Sequence, residues 1–154
     1  MTDEPWLSAD EQRAWRSYIA MSQRLERHLE RHLQRDFGLS ASDFEVLVNL
    51  SEAPDGRMRA FELGEMTEWE KSRLSHHLSR MEKRGLVRRE ACGARYPEIV
   101  LTDAGRAAIE AAAPPNAARV RKVFVDVLGP ERLAMVREAC DDVVAALERD
   151  RAPG

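Results

Sequence analysis

The sequence predicts a mainly α-helical fold with a small β-hairpin wing: a winged helix-turn-helix whose N- and C-terminal helices form a dimerisation lobe. Three observations predict it. Residues 67–84, TEWEKSRLSHHLSRMEKR, read as a helix with one apolar edge and one basic, hydroxyl-rich edge. Two short strand-like runs, Val87 to Glu90 and Glu98 to Leu101, follow it across a small loop. Apolar residues at helical spacing fill both ends of the chain. A basic helix backed by a hairpin has the shape and charge to enter a DNA major groove.

The elements follow in order. From Met21 an apolar residue recurs every fourth position (Met21, Leu25, Leu29, Leu33, Phe37), preceded by Trp15, Tyr18 and Ile19. This predicts one long amphipathic helix, about Ala9 to Asp36, stopped by Gly38. Ser40 or Ser42 caps a second helix carrying Phe44, Leu47, Val48 and Leu50. Pro54-Asp55-Gly56 is a turn, and Arg57 to Arg59 a very short strand. Ala60 to Met66 is a brief third helix with Phe61 and Leu63 inward. Thr67-Glu68-Trp69-Glu70 fits a capping box, Thr67 as cap and Glu70 reaching back, and opens the fourth helix. That helix runs to about Arg84, where Gly85 supplies a left-handed cap. The loop Ala91 to Pro97 joins the two strands. Thr102 caps a fifth helix, which Pro114-Pro115 is expected to break or kink. Helix resumes near Asn116 with Val120, Val123, Phe124, Val127 and Leu128. Gly129-Pro130 then restarts a last helix bearing Leu133, Val136, Cys140, Val143, Val144 and Leu147, with Cys140 read as core and the tail from Arg149 frayed.

Residues 1–37 and 103–150 are thus expected to make the helical dimerisation lobe, and 38–102 the winged helix-turn-helix, as one intertwined domain. The apolar edges of the terminal helices are wide for so small a lobe. A second copy would bury them, which predicts a symmetric homodimer.

Composition sets the bounds. The 154 residues are 44% apolar, ordinary for a globular chain. No run approaches the about 18 apolar residues of a membrane span. The acidic, polar start MTDEPWLSADEQ lacks the basic and apolar parts of a secretory signal, so the cytoplasm is expected. The net charge is −3, but its distribution is uneven. Seven of the 24 basic residues and one of the 27 acidic residues fall between Lys71 and Arg89. Phosphate responds to that local field.

On a wheel at about 100° per residue, Leu74, Leu78 and Met81 cluster on one side of the fourth helix. Ser72, His76, Ser79 and Lys83 point the opposite way, flanked by Ser75 on one side and by Arg73 and Arg80 on the other. The first residues of a recognition helix lie deepest, which favours Ser72, Arg73 and His76 for base edges. Lys71 and Arg80 suit phosphates. In the loop, Arg95 is the candidate for the adjacent minor groove. Arg88 and Arg89 alternate across their strand, so at most one easily faces DNA. Ser40 and Ser42 could help hold a phosphate at the start of the second helix, and capping explains them equally well.

His28 and His32 are spaced to grip a metal, but no matching third ligand is evident, and no metal or cofactor is expected. Cys92 and Cys140 form neither a metal-type spacing nor a disulfide framework. Cys92 could be oxidisable, though nothing beyond nearby arginines activates it. No nucleophile–base pair, metal triad or phosphate loop points to an enzyme.

EKSRLSHHLSRMEKRGLVRRE, followed at the expected interval by VLTDAGR, resembles the MarR family of bacterial transcription regulators, as does LSASDFEVLVNLSEAPDGRMRAFEL upstream. The resemblance covers nearly the whole chain. It implies a dimeric repressor, less often an activator, on a pseudo-palindromic operator in double-stranded DNA. It also implies release by a small anionic or phenolic effector. Ser72, Arg73, Ser75, His76 and His77 would occupy the recognition-helix positions, and Arg95 the wing tip. An effector cleft would lie between the first, second and fifth helices, with Arg24, His28 and His32 neutralising a carboxylate and Tyr18 stacking or hydrogen-bonding. A surface or dimer role fits these four equally. The alternative function is a protein-interaction or anti-regulator module of this fold without operator binding.

Overall fold

Ser8 begins the first helix by a capping box: its hydroxyl accepts the N–H of Glu11, whose carboxylate accepts the N–H of Ser8. In the computed structural model, residues 5–91 and 97–151 are described. The helices are α1 (Ala9–Phe37), α2 (Ala41–Glu52), α3 (Ala60–Thr67), α4 (Lys71–Lys83), α5 (Asp103–Val120) and α6 (Asp126–Arg151). The strands are β1 (Arg57–Arg59), β2 (Val87–Glu90) and β3 (Glu98–Leu101). They pair antiparallel in the order β1-β3-β2, with Arg57 opposite Val100 and Val87 opposite Leu101. The molecule is mainly helical with a small antiparallel wing, as the sequence predicts.

Two compact units divide the chain, Met1–Asn116 and Ala117–Gly154. In the first, α1 ends where Gly38 turns left-handed at φ 65°, and Ser40 caps α2 by a second capping box with Asp43. One apolar core joins Leu33, Val46, Leu47, Leu50, Leu63, Leu74, Leu78, Met81, Val87, Ile99, Leu101 and Ile109. Burying side chains of this size contributes about 1.5–3 kcal/mol each, and here it seats α4 against α2, α3 and the sheet. Thr102 fastens α5: its Oγ1 accepts the N–H of Gly105 and donates to the carbonyls of Gly85 and Leu86.

Four expectations need correction. Thr67 does not cap α4; it is the last residue of α3, its hydroxyl donating back to the Leu63 carbonyl at 2.9 Å. Glu68 then turns left-handed at φ 57°, and α4 is capped by Glu70. Phe61 is not inward but 70% exposed. The prolines at 114 and 115 do not break α5, because their fixed φ is helical; each lacks an N–H donor and crowds the carbonyl four residues back. The non-helical residue comes later, Gly129 at φ 75° and ψ 167°, after a π-helical stretch Arg121–Val125. Cys140 is exposed in the single chain, as are Val143, Val144 and Leu147 of the same helix.

Candidate nucleic-acid interface

The buried edge of α4 consists of Leu74, His77, Leu78 and Met81. Lys71, Ser72, Arg73, Ser75, His76 and Arg80 are exposed, and Ser79 is half-buried. A row of donors and cations thus faces outward on a helix whose other side is locked into the core. Arg73 is held in place: its guanidinium lies 4.4 Å from the centre of the Trp69 ring. Lys71 has no ion pair among the described residues.

The wing braces this helix. Arg89 reaches from β2 to donate to the Ser75 carbonyl at 3.0 Å, to Ser79 Oγ at 3.2 Å and to Glu82 at 3.2 Å. The Arg89 N–H donates to the same Glu82 carboxylate at 2.9 Å. Arg88 instead pairs with Glu90 at 2.9 Å, and Arg57 bridges Glu90 and Glu98. Alternation along the strand sends the two neighbouring arginines to different tasks.

His77 is a correction. Sequence placed it among the DNA-facing residues, but it is 8% exposed, turned toward α2 and edge-on to Trp69 at 5.4 Å. Arg80 donates to its Nδ1 at 3.1 Å, so in the neutral ring the proton sits on Nε2. Nε2 lies 2.9 Å from Asp43 Oδ1 but off the line of a hydrogen bond, and is left without one. Burial pushes the imidazole below its ordinary range, with the nearby Arg80 and Arg73 adding to the effect and Asp43 opposing it. Asp43 itself is 3% exposed. Burial works to raise its carboxyl, but the Ser40 N–H and the Arg84 guanidinium outweigh it and hold the group below the usual carboxylate range. Arg84 donates to Asp43 at 2.7 Å and to the Gly38 carbonyl at 2.7 Å. Asp43 therefore joins the start of α2, the middle of α4 and the residue just past the end of α4.

Sequence reading missed Asp43 and Arg84, and it made Glu70 the partner of a Thr67 cap where Glu70 is itself the cap. The Ser40-x-x-Asp43 spacing signals the first; the partnership with Arg84, 41 residues away, has no local signal. Ser40 caps α2, as expected. Cys92 and Arg95 lie outside the described residues. On α1, Tyr18 stacks on Trp15 at 5.8 Å, His28 and His32 meet edge to face at 4.8 Å, and Arg24 is exposed. The structure gathers none of these four around a groove of about 790 Å³ that opens elsewhere on this unit. That groove runs between α3, α4 and the wing; Phe61, Trp69, Leu74 and Leu78 make its apolar wall, and Arg59, Lys71 and Arg89, with one acid, Glu65, its charged lining.

The comparisons agree with this geometry. A model of the MarR family matches residues 37–95. AbsC, a MarR family transcriptional regulator from Streptomyces coelicolor, is 41% identical, with 94% of this chain and 99% of AbsC covered at a TM-score of 0.90. Sco3205, another such regulator from that organism, crystallised in complex with DNA, is 40% identical. There 95% of this chain and 93% of Sco3205 are covered at a TM-score of 0.89. A mutant MarR from E. coli, complexed with operator DNA, shares the fold at 21% identity, with 83% and 91% covered and a TM-score of 0.75. Among curated proteins none matches the chain.

Proposed function

Because the chain belongs to the MarR family of transcriptional regulators, we propose that it is a cytoplasmic, dimeric repressor that binds a pseudo-palindromic operator and is released by a small molecule. The observation that carries this reading is the outward row Lys71, Ser72, Arg73, Ser75 and His76 on a helix seated in the core and braced by Arg89 of the wing. Each subunit places α4 in a major groove, the two grooves about one helical turn apart. Arg73 takes a guanine through O6 and N7, His76 meets a neighbouring base or phosphate, and Lys71 and Arg80 hold phosphates. Arg95 of the wing serves the minor groove.

Exposed apolar side chains on both terminal helices support a homodimer: Trp15, Tyr18 and Met21 on α1, and Val127, Met135, Val143, Val144 and Leu147 on α6. The groove beside α4 suits a small anionic or phenolic effector, since aromatic walls take a ring and Arg59 and Lys71 take the charge. A molecule there touches the recognition helix and competes with DNA by favouring one of two states. No helix among the described residues is long and apolar enough to cross a membrane.

Selection of bound duplexes from a random pool tests the proposal. A pseudo-palindrome bound in a salt-sensitive manner is expected. Failure to select any sequence at low salt would leave the protein-interaction reading instead. Arg73→Ala is expected to relax specificity at one base position per half-site, at a cost of about 1–3 kcal/mol. An unchanged binding profile for that variant removes Arg73 from base reading.

A further inference from the structure

The residue that caps the start of α4 is a carboxylate, Glu70. Glu70 is exposed and caps the helix through the Ser72 N–H at 3.3 Å. It also accepts the Ser72 hydroxyl, whose Oγ is 2.8 Å from Oε1 and 2.6 Å from Oε2. Those bonds to Ser72 hold its carboxyl below the usual range, so it stays ionised. Ser72 has one hydroxyl proton, and Glu70 takes it; lone pairs are what remain. The two side chains together therefore offer acceptors alone. Beside them, Arg73, stacked on Trp69, offers donors alone.

Phosphates repel a carboxylate, so Glu70 gains nothing from the DNA backbone. What attracts it in the major groove is an amine on a base edge, and only cytosine and adenine carry one there. Adenine sets the N7 acceptor beside its amine, which opposes an acceptor-only pair. Cytosine sets no acceptor beside N4 on its own ring. We propose that Glu70, together with Ser72, is a specificity-determining residue that selects a cytosine N4 amine in each operator half-site, next to the guanine read by Arg73. The inference rests on the operator-binding reading above.

Three proteins test it in the same selection: the wild-type chain, Glu70→Ser and Glu70→Asp. Serine is a strong N-cap, so the helix start is kept while the reaching carboxylate is lost. Aspartate keeps both cap and charge. The wild-type half-site is expected to require one cytosine, whose replacement by thymine weakens binding about tenfold or more. Glu70→Ser should lose preference at that position alone, while binding random duplex at least as tightly, because a negative charge has gone. Glu70→Asp should keep the cytosine. The inference is overturned if Glu70→Ser selects the same cytosine with the same discrimination, or if it weakens operator and random duplex alike. A wild-type chain that selects nothing overturns the operator-binding reading as well. A selected operator indifferent to residue 70 overturns the Glu70 assignment alone.

Discussion

Gly105→Ala is expected to lower the melting temperature by about 5–10 °C, corresponding to about 2–3 kcal/mol of overpacking in a domain of this size. An added Cβ would stand 2.1 Å from the Leu86 carbonyl oxygen and 2.7 Å from Leu101 Cδ1. The oxygen is backbone, and it already accepts the Thr102 N–H at 3.2 Å and the Thr102 hydroxyl at 3.0 Å. Neither side can yield without moving α5 away from the turn that ends α4. A thermal melt followed by circular dichroism reads the effect. A variant melting within about 1 °C of wild type would show that the close approach of α5 to Leu86 is not a constraint.

Asp43→Ala carries the second large effect, expected at about 3 kcal/mol. One carboxylate completes the α2 capping box, worth about 1 kcal/mol, and its loss removes the oxygen 2.9 Å from the Nε2 of a buried, neutral imidazole, leaving that polar group facing a void. The Arg84 pair adds little, because that guanidinium is 44% exposed and screened by water. The same cluster sets a pH dependence. His77 has a folded pKa below its unfolded value, so the unfolded chain binds the extra proton first as pH falls. Its contribution is complete above about pH 6.5 and is lost on acidification toward the folded value. Asp43 is depressed too, and its contribution is lost only as pH falls below the ordinary carboxylate range. Melting temperature should therefore drop from pH 7 to pH 5, and His77→Gln should flatten that drop. A His77→Gln profile parallel to wild type across this interval would remove His77 as its source.

Much of the frame was legible because it is written locally. The wing strands occupy Val87–Glu90 and Glu98–Leu101, where β-branched and apolar residues said they would. Gly38 and Gly85 turn left-handed where a helix was expected to stop. The misread cap at Thr67 has a physical source: a T-x-x-E pattern is also consistent with a threonine bonded back into the preceding helix, and the turn is made by Glu68, which carries no glycine signal. His77 lies within about 60° of Leu74 and Met81 on the helical wheel, so its burial was readable, but its partner on α2 was not. Trp69 and Arg73, one turn apart, were likewise a visible pair whose stacking needed the structure. Contacts across 41 residues, such as Arg84 with Asp43, depend on how helices cross and have no counterpart in periodicity.

The Arg89 brace ties the wing to the recognition helix. Strand β2 and the middle of α4 share one guanidinium, so neither can shift without breaking bonds to the other. They should open to deuterium in a single cooperative step, with matched protection along Val87–Glu90 and the part of α4 from Ser75 to Glu82. On the operator-binding reading proposed above, a pivot that disengages the protein from DNA would sit outside this welded block, which would swing as a plate rather than flex.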